Sequence, residues 1–114
     1  MIKFTNENRM LEDGEIIVIY EGDLLDGSPL LQAWSNEGPY ATVSLYLDEH
    51  PADPGWINID HDVITTNWLD GFLDAFLEHF TEESVDITFG PYCTRTLQVR
   101  LKDDWRNKVL TMEV

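Results

Sequence analysis

The chain has 114 residues, 43% of them hydrophobic and 11% aromatic, with 22 acidic and seven basic side chains that give a net charge of −15. This aromatic content argues against intrinsic disorder, and the length predicts one domain over residues 1–114. Because the charge repels phosphates and anionic lipid, direct binding to nucleic acid or to a membrane surface is excluded.

The basic residues lie at the two ends of the chain. Between Arg9 and Arg95, 85 residues contain no lysine or arginine, and they hold eighteen of the 22 acidic side chains. Like charges lower the stability of a compact state, and a small soluble domain usually carries a net charge of only ~2–8. The excess of negative charge therefore favours a cationic partner. Selection for solubility alone is the alternative interpretation.

The first half of the chain predicts strands. Residues 16–20 form a continuous β-branched run, typical of a central strand that is buried on both faces. Residues 30–34 follow a turn-like Asp-Gly-Ser-Pro segment and predict a second strand. Residues 41–47 alternate, which predicts a half-buried strand with its odd-numbered side chains on the core face. Residues 48–55, with two prolines, predict a loop, and residues 56–60 are again extended.

One amphipathic helix is predicted over residues 67–80. Its apolar side chains recur at three- and four-residue steps. They are Leu69, Phe72, Leu73, Phe76, Leu77 and Phe80. Thr65, Thr66 or Asn67 is the expected N-cap residue.

A β-hairpin is predicted after the helix. Residues 85–89 and 96–102 flank a Gly-Pro-Tyr-Cys turn, and the second strand directs Leu97, Val99 and Leu101 to the core. Residues 108–114 suggest a last strand, although residues 105–110 are equally compatible with a helical turn. The predicted fold class is α+β, with an antiparallel sheet of about five or six strands and one amphipathic helix packed on it.

Three acidic residues recur every four positions on the polar face of the predicted helix: Asp70, Asp74 and Glu78. They lie about 6 Å apart along the axis and repel one another, because no lysine separates them. We interpret them as a row of carboxylates offered to a basic groove; an ordinary solvated helix face is the alternative. Glu82 and Glu83, which follow the helix, belong to the same predicted partner-binding set.

Two short segments combine histidine with carboxylates, namely Asp48-Glu49-His50 and Asp60-His61-Asp62. Such groups suit calcium or transition metals. However, neither has the spacing of an EF-hand, and the histidines do not form an i, i+4 pair. Exposed turns without a metal or another cofactor are therefore predicted. The four carboxylates complete the predicted partner-binding set: Asp48, Glu49, Asp60 and Asp62.

Cys93 is the only cysteine, which excludes an internal disulfide and a cysteine-ligated zinc site. Nothing in the sequence pairs it with a histidine base, so the protein is predicted not to be an enzyme. A reducing cytoplasm fits the single thiol and the lack of a signal-peptide pattern. The longest apolar run, residues 16–20, is too short to cross a bilayer.

Two stretches carry a resemblance to a known family. They are Leu30-Leu31-Gln32-Ala33-Trp34 with Pro39-Tyr40-Ala41-Thr42-Val43-Ser44, and Phe89-Gly90-Pro91-Tyr92-Cys93 leading into Leu97-Gln98-Val99-Arg100-Leu101. Over residues 30–101 the chain resembles small uncharacterised acidic domains carried by bacterial plasmids, integrative elements and phages. It departs from them around residues 70–83, so the resemblance implies no function for the amphipathic helix. The resemblance implies a setting like that of antirestriction and anti-CRISPR proteins, which mimic the charge of DNA, and it implies no catalytic residues.

These observations predict an inhibitor of a bacterial nucleic-acid-targeting defence complex. Its acidic surface would occupy the DNA channel of a basic nucleic-acid-binding protein or nuclease complex. Two alternatives stay open. One is an immunity protein that caps a basic toxin nuclease, and the other is a structural or solubility-selected accessory protein without a cationic partner.

Overall fold

The computed structural model describes residues 3–4, 15–66 and 71–107. In these ranges the chain forms eight strands and two helices. In chain order they are β1 Lys3–Phe4, β2 Glu15–Asp23, β3 Pro29–Ser35, β4 Gly38–Thr42, β5 Ser44–Leu45, β6 Trp56–Ile59, α1 His61–Thr66, α2 Phe72–Phe80, β7 Thr81–Phe89 and β8 Thr94–Leu101.

The strands form two sheets. Sheet 1 has the order β1-β2-β3-β4, with β1 parallel to β2 and the other pairs antiparallel. Sheet 2 has the order β5-β6-β8-β7 and is antiparallel throughout. The predicted α+β class is confirmed. The strands are divided between two sheets instead of one, because the chain changes sheet in the middle of the third predicted strand.

The change of sheet takes place at Val43, between β4 and β5. The backbone N–H of Val43 donates to the carbonyl of Leu31 in β3, and its carbonyl accepts from the N–H of Asp60, both at 2.9 Å. The side-chain alternation is interrupted here. Ser44, predicted on the outer face, is fully buried, while Leu45, predicted on the core face, is only half-buried.

The hydroxyl of Ser44 connects the two sheets. It donates to the carbonyl of Pro29 at 2.7 Å and accepts from the N–H of Leu31 at 2.8 Å. Both backbone groups belong to β3 in sheet 1, whereas Ser44 begins β5 in sheet 2. Because buried backbone groups need partners, this side chain determines how β3 meets sheet 2.

One hydrophobic core joins both sheets and both helices. The buried members include Ile16, Val18, Leu31 and Ala33 of sheet 1, Ile57, Ile59, Val99 and Leu101 of sheet 2, Val63 of α1, and Phe72, Phe76 and Phe80 of α2. Leu97 is only partly buried. In β2, Ile17 and Ile19 are also half-buried, so the prediction of burial on both faces was wrong for that strand.

The predicted long helix is described only from Phe72 to Phe80. Gly71 precedes it with a φ of 85°, a left-handed conformation that glycine adopts without steric cost, and it provides no side-chain cap. The predicted cap at residues 65–67 was therefore wrong for α2: Thr65 and Thr66 belong to the unpredicted helix α1, and Asn67 lies outside the described residues.

The predicted hairpin is present as β7 and β8. Val99 and Leu101 face the core as expected. A helical turn occurs at residues 105–107, and the suggested strand at residues 108–114 lies outside the described part of the chain. In the part of the chain that the structure describes, no helix is long and apolar enough to cross a membrane.

Replacement of Ser44 by alanine should lower the free energy of unfolding by about 1–3 kcal/mol, because the N–H of Leu31 and the carbonyl of Pro29 then lose a buried partner. Urea denaturation measures this change. Ser84→Ala, at an exposed position of β7, is the matched control and should change stability by less than about 0.5 kcal/mol. Equal stabilities of the two variants would contradict the connecting role of Ser44.

Candidate acidic interaction surfaces

The arginines of β8 pair with acids of the neighbouring strand β7. Arg95 forms a two-pronged interaction with Asp86, with N–O distances of 3.0 and 3.1 Å. Arg100 contacts Glu82 at 2.9 Å and Glu83 at 2.7 Å. The predicted partner-binding residues Glu82 and Glu83 are therefore already paired within the chain, and the hairpin is partly neutralised.

The other two basic side chains that the structure describes are engaged as well. The amine of Lys102 donates to the backbone carbonyl of Glu78 at 3.0 Å, at the carboxyl end of α2. The guanidinium of Arg106 lies over the rings of Tyr20 and Trp105, 5.0 and 5.3 Å from their centroids. The acidic and basic parts of the sequence are thus not separated in space, because the fold brings these four bases into contact with residues between 20 and 86.

Asp74 and Glu78 form the helix surface, the exposed face of α2 opposite its buried phenylalanines. They lie one helical turn apart, about 6 Å along the axis. Asp74 is in the first turn, where the helix dipole favours a negative charge, and Glu78 is in the last turn, where it does not. The third member of the predicted row, Asp70, lies outside the described residues.

Asp48 and Glu49 form the loop surface, in the segment that follows β5, and both are exposed. Asp60 has a different position: its backbone carbonyl accepts from the N–H groups of Val63 and Ile64, so it begins α1. The side chain of Asp62 is not among those that the structure describes. Of the four predicted loop carboxylates, Asp48 and Glu49 are the pair that the structure places side by side at the surface.

His50 fixes the loop surface to sheet 2. Its carbonyl accepts from the side-chain amide of Asn58 in β6 at 3.0 Å, and its ring Nδ1 lies 3.1 Å from the amide nitrogen of Gln98 in β8. Asn58 and Gln98 are register partners, and their sequence neighbours Ile57 and Val99 belong to the core. Since side chains alternate along a strand, the loop segment lies on the face of sheet 2 that points away from the core.

The two acidic surfaces therefore lie on opposite sides of sheet 2. The helix α2 packs its phenylalanines into the core on one side, and the loop segment covers the other side. The predicted partner-binding residues are not brought together into a single face. The alternation of single strands carries no information about which side a later loop will cover, so the sequence did not reveal this division.

A cleft of about 340 Å³ opens beside the loop surface. It is lined by Tyr46, Leu47, Asp48, Glu49, Phe89 and Thr94. The ring of Phe89 packs edge-on against His50, with 5.5 Å between the centroids. The hydroxyl of Tyr46 donates to Asp48 at 3.1 Å, and this hydrogen bond raises the pKa of Tyr46. No basic side chain is among these lining residues.

Asp26, which sequence reasoning did not single out, anchors the other end of this region. Its carboxylate accepts from the N–H and hydroxyl of Ser28 and from the N–H of Ala52, which joins the turn after β2 to the proline-rich loop. Burial acts to raise the pKa of Asp26, but the hydrogen bonds from Ser28 and Ala52 outweigh it and lower the pKa. The turn-like Asp-Gly-Ser-Pro pattern of residues 26–29 was a signal for the contact with Ser28 but not for the contact with Ala52.

Among the described residues, no group of three or more His, Cys, Asp or Glu side chains is arranged to hold a metal ion. Cys93 is exposed in the hairpin turn with a φ of 52°.

Comparison with protein-family models, curated proteins and solved structures finds no match for this chain. The resemblance to acidic domains of mobile elements stays a prediction.

Replacement of Arg95 by glutamine should raise the pKa of Asp86 toward its ordinary value of 3.8, because the hydrogen bond and charge of Arg95 hold it lower. A lowered folded-state pKa means that the pair stabilises the fold above the ordinary pKa, and that this contribution is lost as the pH falls through the lowered pKa. The effect on stability should be small, since both side chains are exposed.

NMR titration of the Asp86 carboxyl carbon measures this pKa directly. Arg100→Gln is the matched control, since Arg100 pairs with Glu82 and Glu83 and not with Asp86. An unchanged pKa of Asp86 in Arg95→Gln, or the same rise in both variants, would show that the pair does not persist in solution.

Proposed function

We propose that this protein inhibits a bacterial nucleic-acid-targeting defence complex, of the anti-CRISPR or antirestriction type, by placing a DNA-mimicking negative surface in its DNA channel. The observation that carries the proposal is that the described basic side chains are engaged in contacts within the chain. The net charge is −15, and the four basic side chains that the structure describes all make contacts within the chain. What the protein offers to a partner is therefore dominated by carboxylates.

The dimensions and the distribution of charge support occupancy of a channel. The chain measures 44 × 27 × 22 Å, and its long axis matches about 13 base pairs at 3.4 Å each. Duplex DNA carries phosphates around its whole circumference, so a channel that holds DNA presents basic groups on more than one wall. A narrow protein with a helix surface on one side and a loop surface on the other can contact two such walls at once.

The proposed partner is a basic nucleic-acid-binding protein or nuclease complex in the bacterial cytoplasm. The proposed mechanism needs no catalytic group and no cofactor, because exclusion of DNA follows from occupancy of its site. Complementary charge would increase the association rate and would make binding sensitive to salt.

Expression of this protein should restore plaque formation by a sensitive phage in a strain that carries the targeted restriction or CRISPR system. With the purified effector of that system, binding should weaken strongly between 0.1 and 1 M salt, as the screening length falls from about 10 to 3 Å. Duplex DNA should compete for the same site. Equal binding at both salt concentrations, or simultaneous binding of DNA, would contradict channel occupancy.

The helix surface allows a second test. In Asp74→Lys/Glu78→Lys each substitution adds two charges, so the net charge changes from −15 to −11. Inhibition should fall at least about tenfold, since reversed charges in a contact cost several kcal/mol. Stability should change little, because the loss of a favourable dipole interaction at Asp74 is offset by a gain at Glu78. Plaque restoration and thermal melting measure the two effects.

The matched control is Glu37→Lys/Asp103→Lys, which also gives a net charge of −11 at exposed positions outside the predicted partner-binding set. It should retain most of the inhibition. Equal losses in both double variants would mean that overall charge alone matters. Capture of a toxin nuclease from the host, without restored plaques, would instead favour the immunity function.

A further inference from the structure

The cleft beside the loop surface combines two kinds of group that recognise organic cations. Tyr46 and Phe89 supply aromatic rings, and Asp48 and Glu49 supply carboxylates. Its volume of about 340 Å³ lies at the lower end of the ~300–1,000 Å³ range for ligand sites. This space suits one side chain of a partner better than a nucleotide-sized cofactor.

The walls of the cleft are held by contacts on independent elements. The ring of Phe89, at the end of β7, rests against His50, which is bound in turn to β6 and β8. Within the loop segment, the hydroxyl of Tyr46 donates to Asp48. These contacts form the cleft before a ligand arrives, which lowers the entropic cost of binding.

The hairpin turn closes against the carboxylate of Glu49. A Cβ atom built on Gly90 would lie 3.1 Å from Oε2 of Glu49, and the φ of Gly90 is +76°. The turn and the loop surface therefore approach each other closely at this point. This places the Glu49 carboxylate beside the hairpin turn, and Glu49 and Phe89 both line the cleft.

We propose that this cleft receives an arginine side chain from the basic channel of the partner. A guanidinium is planar, stacks on aromatic rings and donates several hydrogen bonds to carboxylates, so it matches both kinds of lining group. The inference deepens the proposed function and rests on it, since an arginine that lines a DNA channel is a group that ordinarily contacts phosphate. The cleft would thus replace a phosphate as the ligand of that arginine.

The probe for this site is N-acetyl-arginine amide, titrated into the ¹⁵N-labelled full chain and followed by NMR. Its chemical-shift changes should be concentrated at Tyr46, Leu47 and Thr94. N-acetyl-citrulline amide, the neutral analogue of similar shape, should produce no saturable change there. Shifts of equal size over all exposed acidic residues, or equal binding of citrulline or of N-acetyl-lysine amide, would overturn the assignment of the cleft to arginine.

Three variants refine the test. Glu49→Gln removes one carboxylate charge and Phe89→Leu removes one ring, and each should weaken binding of the arginine probe by roughly three- to tenfold. Asp53→Asn is the matched control, because Asp53 is an exposed acid of the neighbouring loop that does not line the cleft. It should bind the probe as the parent chain does. If Asp53→Asn weakened binding of the arginine probe equally, the effect would come from the overall charge of the protein and not from the cleft.

The same variants separate this inference from the proposed function. If the cleft binds the arginine probe and Glu49→Gln lowers phage protection more than Asp53→Asn, both stand. Normal inhibition by Glu49→Gln and Phe89→Leu would overturn the cleft as a partner contact while leaving channel occupancy in place. Probe binding by a chain that restores plaques in no defence strain would leave the cleft chemistry standing and remove the proposed function.

Discussion

The buried hydroxyl of Ser44 makes the contact on which the arrangement of the two sheets depends. The N–H of Leu31 in β3 donates to this hydroxyl, and its carbonyl accepts from the N–H of Val43. Both backbone groups of Leu31 are therefore bound by the segment that leaves sheet 1. The chain therefore enters sheet 2 in a fixed position relative to β3. From there it continues over the outer face of sheet 2, where His50 is bound by β6 and β8 and the cleft is formed. Displacement of this crossing would move the loop surface as well as the core.

The distribution of charge follows from the register of the hairpin. Glu83 and Arg100 are direct register partners in β7 and β8, so formation of the hairpin places them together. Each exposed pair of this kind contributes little to stability. Their main effect is on the electrostatic field, because they neutralise acids of β7, the edge strand of sheet 2. The four carboxy-terminal bases that the structure describes all make contacts within the chain: Arg95, Arg100, Lys102 and Arg106.

Local patterns predicted most of the strands, because a β-branched run, an alternation and a glycine-proline turn are properties of adjacent residues. They did not predict the break at Val43, since the alternation of apolar and polar residues in the sequence continues through it. Only the hydrogen bonds of Val43 to the distant Leu31 and Asp60 interrupt the strand. The start of α2 was also missed, because the apolar period extends back past Gly71, whereas the left-handed conformation of this glycine sets α2 apart from the residues before it. The acids of the helix surface and of the loop surface could be identified from the sequence, but the cleft could not. Phe89 is forty residues away from Glu49, and only the tertiary fold places both in the lining of the cleft.

The division of the acids between two sides of sheet 2 distinguishes the possible mechanisms. A protein that caps a flat basic surface gains from acids on one side alone, while acids on the other side still repel their neighbours and lower stability. A protein that fills a channel gains on both sides, because each side meets a wall. Asp48 and Glu49 on one side and Asp74 and Glu78 on the other therefore favour a channel as the proposed target. The two sides also differ in kind. In the proposed complex, the helix surface contributes charge alone, which steers association. The cleft beside the loop surface adds the aromatic rings of Tyr46 and Phe89, which select the shape of the group that binds.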